Sequence, residues 1–228
     1  MYKYCYLFLL FIIYAIIGWL IEVINTFIHE KKFVNRGFMI GPYVPIYADG
    51  ALLIIYLLKD YTDNVLVLFI LSSVICMVLE YTFSFIMEKL FNARWWDYSN
   101  RKFNINGRIC LETTVPFGIG GTIAVYIVNP FLMSILNKLS HNLVIIFGII
   151  LATIFFTDLI ISIIVVSKFK NVKVKSKVFK FRDDTEEMSR RVRAYLMEHS
   201  ILTRRVMLAF PGYRILKKVR EFKNTDHK

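Results

Sequence analysis

Five carboxylates interrupt otherwise apolar stretches of this chain: Glu22, Asp49, Glu80, Glu112 and Asp158. No lysine or arginine lies as deep in those stretches. A charged side chain at the centre of a membrane helix costs on the order of 2.5–3.5 kcal/mol on insertion scales, so acids held there face a bundle interior or a wet cavity. Carboxylates at that depth, joined by Arg, Asn and Trp from nearby connectors, have the chemistry to bind phosphate groups and to move protons. Helical spacing groups some of them. Tyr14, Gly18, Glu22 and Asn25 share one face, as do Glu80, Ser84 and Glu88, and Asp158 lies one turn from Ser162. The candidate lining of an inward-facing polar cavity is therefore Glu22, Asn35, Arg36, Tyr43, Glu80, Asn106, Arg108 and Asp158. The structural alternative is that the acids are protonated, or pair with Arg36, Arg94 and Arg108 and hold the helices in register.

The elements that must position these groups are membrane helices. Of the 228 residues, 57% are hydrophobic, yet the net charge is +12. Such apolar content is rare in a soluble domain. The two properties coexist because they are segregated. Nearly all apolar runs lie in residues 1–167, whereas residues 168–228 hold 18 of the 29 Lys and Arg. Runs of about 18 or more apolar residues are long enough to cross a bilayer. The expectation is an all-α, polytopic bundle with spans at 4–28, 43–58, 65–91, 110–136 and 143–167, followed by a basic, helical cytoplasmic tail. The second span is short and contains Pro45 and Gly50, which suits a tilted, broken or re-entrant helix. Gly118, Gly120 and Gly121 on the fourth would admit a close neighbour.

Basic residues orient the bundle. With the N-terminus outside, 26 of the 29 Lys and Arg fall on the cytoplasmic side, leaving Lys3, Lys59 and Lys138 outside. The connector NARWWDYSNRKFNINGRICLE, residues 92–112, is then cytoplasmic. Its Arg94, Trp95, Trp96, Asp97 and Tyr98 suit a headgroup layer or a docking surface for a partner. The tail run KFKNVKVKSKVFKFR, residues 168–182, carries seven positive charges and no acid, which predicts contact with anionic lipid rather than nucleic acid. An apolar stripe of Met188, Val192, Tyr195, Leu196 and Leu202 predicts an amphipathic helix ended by Pro211-Gly212. The three cysteines are far apart, with no CxxC, and the four histidines lie outside the apolar runs, so neither a metal nor a cofactor is expected.

Several segments resemble a known family. GWLIE at 18–22, KKFVNRGF at 31–38, GPYVPIY at 41–47, LEYTFSFIMEKLF at 79–91, ARWWDYS at 93–99 and FNINGRICLE at 103–112 are similar to the CmpB-like, type IV group of bacterial membrane proteins named as ABC-transporter permeases. MLAFPGYR at 207–214 resembles that family's basic C-terminal end. Asp49 and Glu112 stand where the family pattern has apolar residues or glycine. The resemblance implies a permease subunit. The chain has no G-x-x-x-x-G-K-[ST] phosphate loop, so ATP hydrolysis would come from a partner ATPase docking on the connector. So few spans imply a homodimer. The readings outside transport are a membrane-embedded enzyme acting on a lipid or polyprenyl headgroup at the inner leaflet, and a membrane scaffold or sensor.

The orientation is tested with a single cysteine placed at Asn100. A membrane-impermeant thiol reagent should leave it unlabelled in intact cells and label it in inverted vesicles; labelling from outside reverses the topology.

Overall fold

The computed structural model describes residues 1–170 and 185–215. The lipid-binding run expected at 168–182 lies almost wholly outside them. Four helices have spanning length: α1 (Tyr2–Glu30), α3 (Val65–Phe91), the continuous Leu111–Leu136 rod, and α6 (His141–Lys170). The rod is α4 (Leu111–Ile123) and α5 (Asn129–Leu136) joined by a π-helical turn at Ala124–Val128. The large side chains it exposes between Val115 and Ile135 are apolar, as are Ile146, Ile150, Ile154, Ile160 and Ile164 of α6. An exposed apolar belt of this extent has lipid as its solvent. The protein is a multi-pass membrane helix bundle.

The second apolar run takes the broken form. Only Pro45–Leu57 is helical, as α2, with 13 residues and a length of about 20 Å. Pro45 starts it, where a missing N–H costs nothing, and holds Val44 extended before it. The Val44 amide donates to the Ala15 carbonyl at 2.9 Å, and Ala15 lies halfway along α1. The irregular segment 31–44 thus reaches mid-depth in the bundle before α2 begins. Irregular backbone is tolerated there because it is enclosed by protein. Met39 is fully buried and Tyr43 nearly so, in a core formed with Leu10, Tyr14 and Ala15 of α1 and Phe155 of α6. The Tyr43 and Phe155 rings meet at 5.4 Å.

Close helix approach depends on missing side chains. A Cβ on Gly18 would lie 2.4 Å from the Cβ and Cγ of Tyr47, and one on Gly118 would lie within 2 Å of the Ser73 hydroxyl. Gly121 meets Ile54 and Ser72 in the same way, whereas Gly120 has open space beside it. Gly118 and Gly121, three residues apart, share the face turned to α3; Gly120 points elsewhere.

The tail folds back onto the bundle. α7 (Thr185–His199) and α8 (Ile201–Ala209) form a hairpin, followed by β4 (Arg214–Ile215). The expected single amphipathic helix is divided at Ser200, whose extended backbone (φ −161°) lets its hydroxyl cap the Leu202 amide. Val192 and Leu196 are buried as the stripe required, but Tyr195 is half exposed. With Val206, Met207 and Tyr213 they surround Trp95 and Phe91 in a second core. The connector's first residues, β1 (Ala93–Arg94), pair antiparallel with β4. The rest of the connector forms a hairpin of β2 (Asn104–Ile105) and β3 (Ile109–Cys110), turned by Asn106 and Gly107 at φ 53° and 65°. Positive φ at both central residues is what a type I′ turn requires.

Gly18→Val should destabilise the bundle by about 1–3 kcal/mol through overpacking against Tyr47, while Gly120→Ala should be neutral or stabilising. Thermal unfolding in detergent reads both, and equal effects would contradict the α1–α2 contact.

Candidate functional site

The buried acids collect toward the end of the bundle that bears the connector and tail, in three linked groups. Asp158 of α6 is the first. Its carboxylate accepts from the amides of Ile40 (3.0 Å) and Gly41 (2.7 Å), and from the hydroxyls of Tyr43 (2.5 Å) and Ser162 (2.9 Å). α6 sets Asp158 and Ser162 one turn apart, and the mid-depth segment brings the other three donors. Four donors on one carboxylate offset much of its desolvation. Asn35 completes the arrangement: its carbonyl accepts from the Trp19 indole at 2.7 Å and its amide donates to Ile40 O at 2.8 Å.

Glu22 and Glu80 form the second group. Glu22 accepts from the Tyr47 hydroxyl at 2.8 Å and from Arg36 Nε at 3.4 Å. Glu80, only 6% exposed, accepts from the Thr113 hydroxyl at 3.3 Å and lies within electrostatic range of Tyr98. Tyr47 lies within electrostatic range of both carboxylates, so two acids from α1 and α3 face one another across a pair of tyrosines. Glu22 has a cation beside it; Glu80 has a neutral hydroxyl donor. Carboxyls linked by phenols are equipped to hold and pass protons, and Arg36 beside Glu22 adds a donor that an anionic group can engage.

The third group is an ion-pair network on the same face of α3. Arg108, 7% exposed, pairs with Glu88 at 2.9 Å, donates to the Ser84 hydroxyl at 3.3 Å, and stacks over the Tyr81 and Phe85 rings. Arg94 reaches Glu88 at 3.2 Å and Asp97 at 3.6 Å, and Arg214 of β4 reaches Asp97 at 3.1 Å. Burial would raise the Asp97 carboxyl, but donors from Ser99 together with Arg94 and Arg214 hold it below its ordinary value. Asn106 donates to the Tyr81 hydroxyl at 3.0 Å, and the Trp96 indole to the Arg108 carbonyl at 3.0 Å.

Sequence spacing located much of this. Glu80, Ser84 and Glu88 do fall along one inward stripe of α3. On α1 the buried face continues through Thr26, and Asn25 is exposed. Arg94 and Arg108 meet Glu88 rather than the deeper Glu80. Glu112 is outside the cluster, in an exposed pair with Arg101 at 2.9 Å, and Asp49 on α2 joins none of the three groups. In the connector, Trp95 is 3% exposed and packs on Phe210 and Tyr213, so its ring belongs to the interior beneath the tail. Tyr98 lies within electrostatic range of Glu80. Spacing did not identify Tyr47, Thr113 or Arg205, whose partners lie far away in the chain. The β2–β3 hairpin was not expected either, although the Asn106-Gly107 pair is a sequence signal for such a turn. The acids and their donors close directly on one another; a cleft lined by Tyr2, Tyr6, Met133 and Asn137 is at the opposite end.

Arg108→Ala leaves Glu88 partly buried with Arg94 alone, and loss of one partner from a buried pair costs about 3–5 kcal/mol. Arg101→Ala removes an exposed pair worth about 0–1 kcal/mol. Denaturation of the two variants in detergent should rank them in that order; a reversal would remove the stabilising role given to the Arg108 network.

Comparison with curated proteins and with solved structures returns no significant match. The family described as "Putative ABC-transporter type IV" matches residues 9–163, which contain all three groups of buried acids and the segment that Asp158 holds. The chain belongs to that family.

Proposed function

We propose that the protein is the membrane-spanning permease subunit of an ABC-type transporter, working as a homodimer with a separate ATPase chain. The observation that carries this reading is the combination of family membership with a broken membrane element whose non-helical half is pinned at mid-depth by Asp158. Interrupted helices with polar backbone at mid-membrane are where transporters bind their substrates. Glu22 and Glu80, with Tyr47 and Tyr98, form the polar route between that point and the basic face. Arg36 beside Glu22, one quarter exposed, favours an anionic substrate group. The positive-inside bias puts this face in the cytoplasm of a bacterial cell, where a soluble ATPase docks on the outer surface of residues 92–109 and the tail hairpin. Residues 99–103, with Ile105 and Asn106, are the parts of the connector left exposed at that surface.

Purification of the tagged protein in mild detergent should recover an ATPase chain in stoichiometric amount. Glu80→Gln should accumulate to wild-type level and lower the ATP turnover of the purified complex at least about tenfold, a loss of about 1.4 kcal/mol of coupling. Repeated recovery of the chain alone, or an unimpaired Glu80→Gln complex, would sink the reading.

A further inference from the structure

The mid-depth segment is gripped from two directions. α6 holds its inner part through Asp158, on the amides of Ile40 and Gly41. The tail holds its outer part. Arg205 of α8 donates from Nη2 to the carbonyl of Phe38 at 2.9 Å and approaches that of Gly37 at 3.4 Å. Arg36 reaches back from the segment to the carbonyl of Ala209, the last residue of α8. The Phe38 ring packs on Phe91 and Trp95, and Trp95 lies 4.8 Å from Phe210. Residues 36–41 are outside any helix or strand, so partners on other elements set their conformation.

The two grips are unequal. Asp158 has a donor at each side of both oxygens. Arg205 does not: its Nε and Nη1 are buried without a hydrogen-bond partner. Unpaired buried donors cost free energy in the docked state, and undocking returns them to water. Asp158 lies within electrostatic range of the same guanidinium, so the charge that fixes the segment also attracts the residue that clamps it. The docked hairpin is therefore the weaker half of the hold, and it is the half at the surface of the bundle.

We propose that the α7–α8 hairpin is a releasable strap: docked, Arg205 and Arg36 keep residues 36–41 seated on Asp158, and undocked, that segment leaves Asp158 and opens the tail-bearing end of the bundle. Any partner that binds the hairpin in one of its two positions then controls the mid-membrane segment by mass action. The strap does not depend on what, if anything, the bundle transports, and its test reads the segment alone.

The test uses the full-length protein in detergent, with the native cysteines replaced by alanine. Ala93 and Ile215 are paired Cα positions of β1 and β4, a spacing that a disulfide can bridge. In Ala93→Cys/Ile215→Cys, oxidation should slow hydrogen exchange at the Ile40 and Gly41 amides about tenfold relative to the same protein after reduction. Arg205→Ala should speed exchange there about tenfold and leave residues 65–91 unchanged, while Arg204→Ala, an exposed neighbour, should match wild type. Equal exchange in the oxidised and reduced forms overturns the strap, as does failure of the cross-link to form. So does Arg205→Ala exchange that rises equally across the whole bundle. If Arg205→Ala does not accumulate, the oxidised and reduced forms of one polypeptide decide alone.

Discussion

A carboxylate placed in the middle of an apolar bundle must find donors, and Asp158 finds them in backbone amides. This constraint organises the molecule. Helices keep their amides for themselves, so free N–H groups at mid-depth exist only where a helix is broken. Pro45 supplies the break by starting α2 late, and the extended residues before it present Ile40 and Gly41 to Asp158. Each half of the arrangement would be costly alone: an unpaired charge on α6, or orphaned backbone amides in the bundle. Together they cancel, and the chain gains a fixed non-helical segment inside a membrane domain.

The remaining polar groups follow from the same rule applied at other depths. Glu80, well inside α3, has a hydroxyl donor from Thr113 and Tyr98 within electrostatic range, and Glu22 has a phenol and a guanidinium. Glu88, near the end of α3, has two arginines. Compensation thus changes from neutral dipoles to full counter-charges toward the connector. Arg94 and Arg108 reach Glu88 because their backbones are in the connector, Arg36 reaches Glu22 from the segment before α2, and Glu80 relies on side chains of neighbouring elements. Two carboxyls that share a single cation, Arg36, are poor as a mere staple, since apolar residues of the same size would hold the helices at less cost. That imbalance favours a working role for Glu22 and Glu80, whereas the Arg94–Arg108–Glu88 network serves to fix the connector.

The tail changes character between sequence and structure. As a string of residues it is basic and faintly amphipathic, the profile of a segment lying on lipid. Folded, its described part covers Trp95, adds a strand to β1, and sends Arg205 to the segment before α2. The connector and tail therefore form one layer over the end of the bundle, with Phe38 reaching into it from the mid-depth segment.

Apolar run lengths and the asymmetry of basic residues were enough to identify a membrane bundle, its four full spans and one defective one, because lipid imposes a length and a polarity that any sequence must display. Helical spacing was enough to align Glu80, Ser84 and Glu88 and to join Asp158 to Ser162, because those relations are local. Partnership was not legible. Spacing alone does not separate Glu112 and Asp49 from Glu22 and Glu80, and only the family resemblance set them apart; in the structure Glu112 is exposed and Asp49 stands apart, since depth and facing depend on how α2 and α4 pack. Arg205 is one basic residue among many in the tail, and its bond to Phe38 joins positions 167 residues apart. Which acid meets which donor was decided by tertiary structure, because it depends on the relative placement of helices that periodicity describes only one at a time.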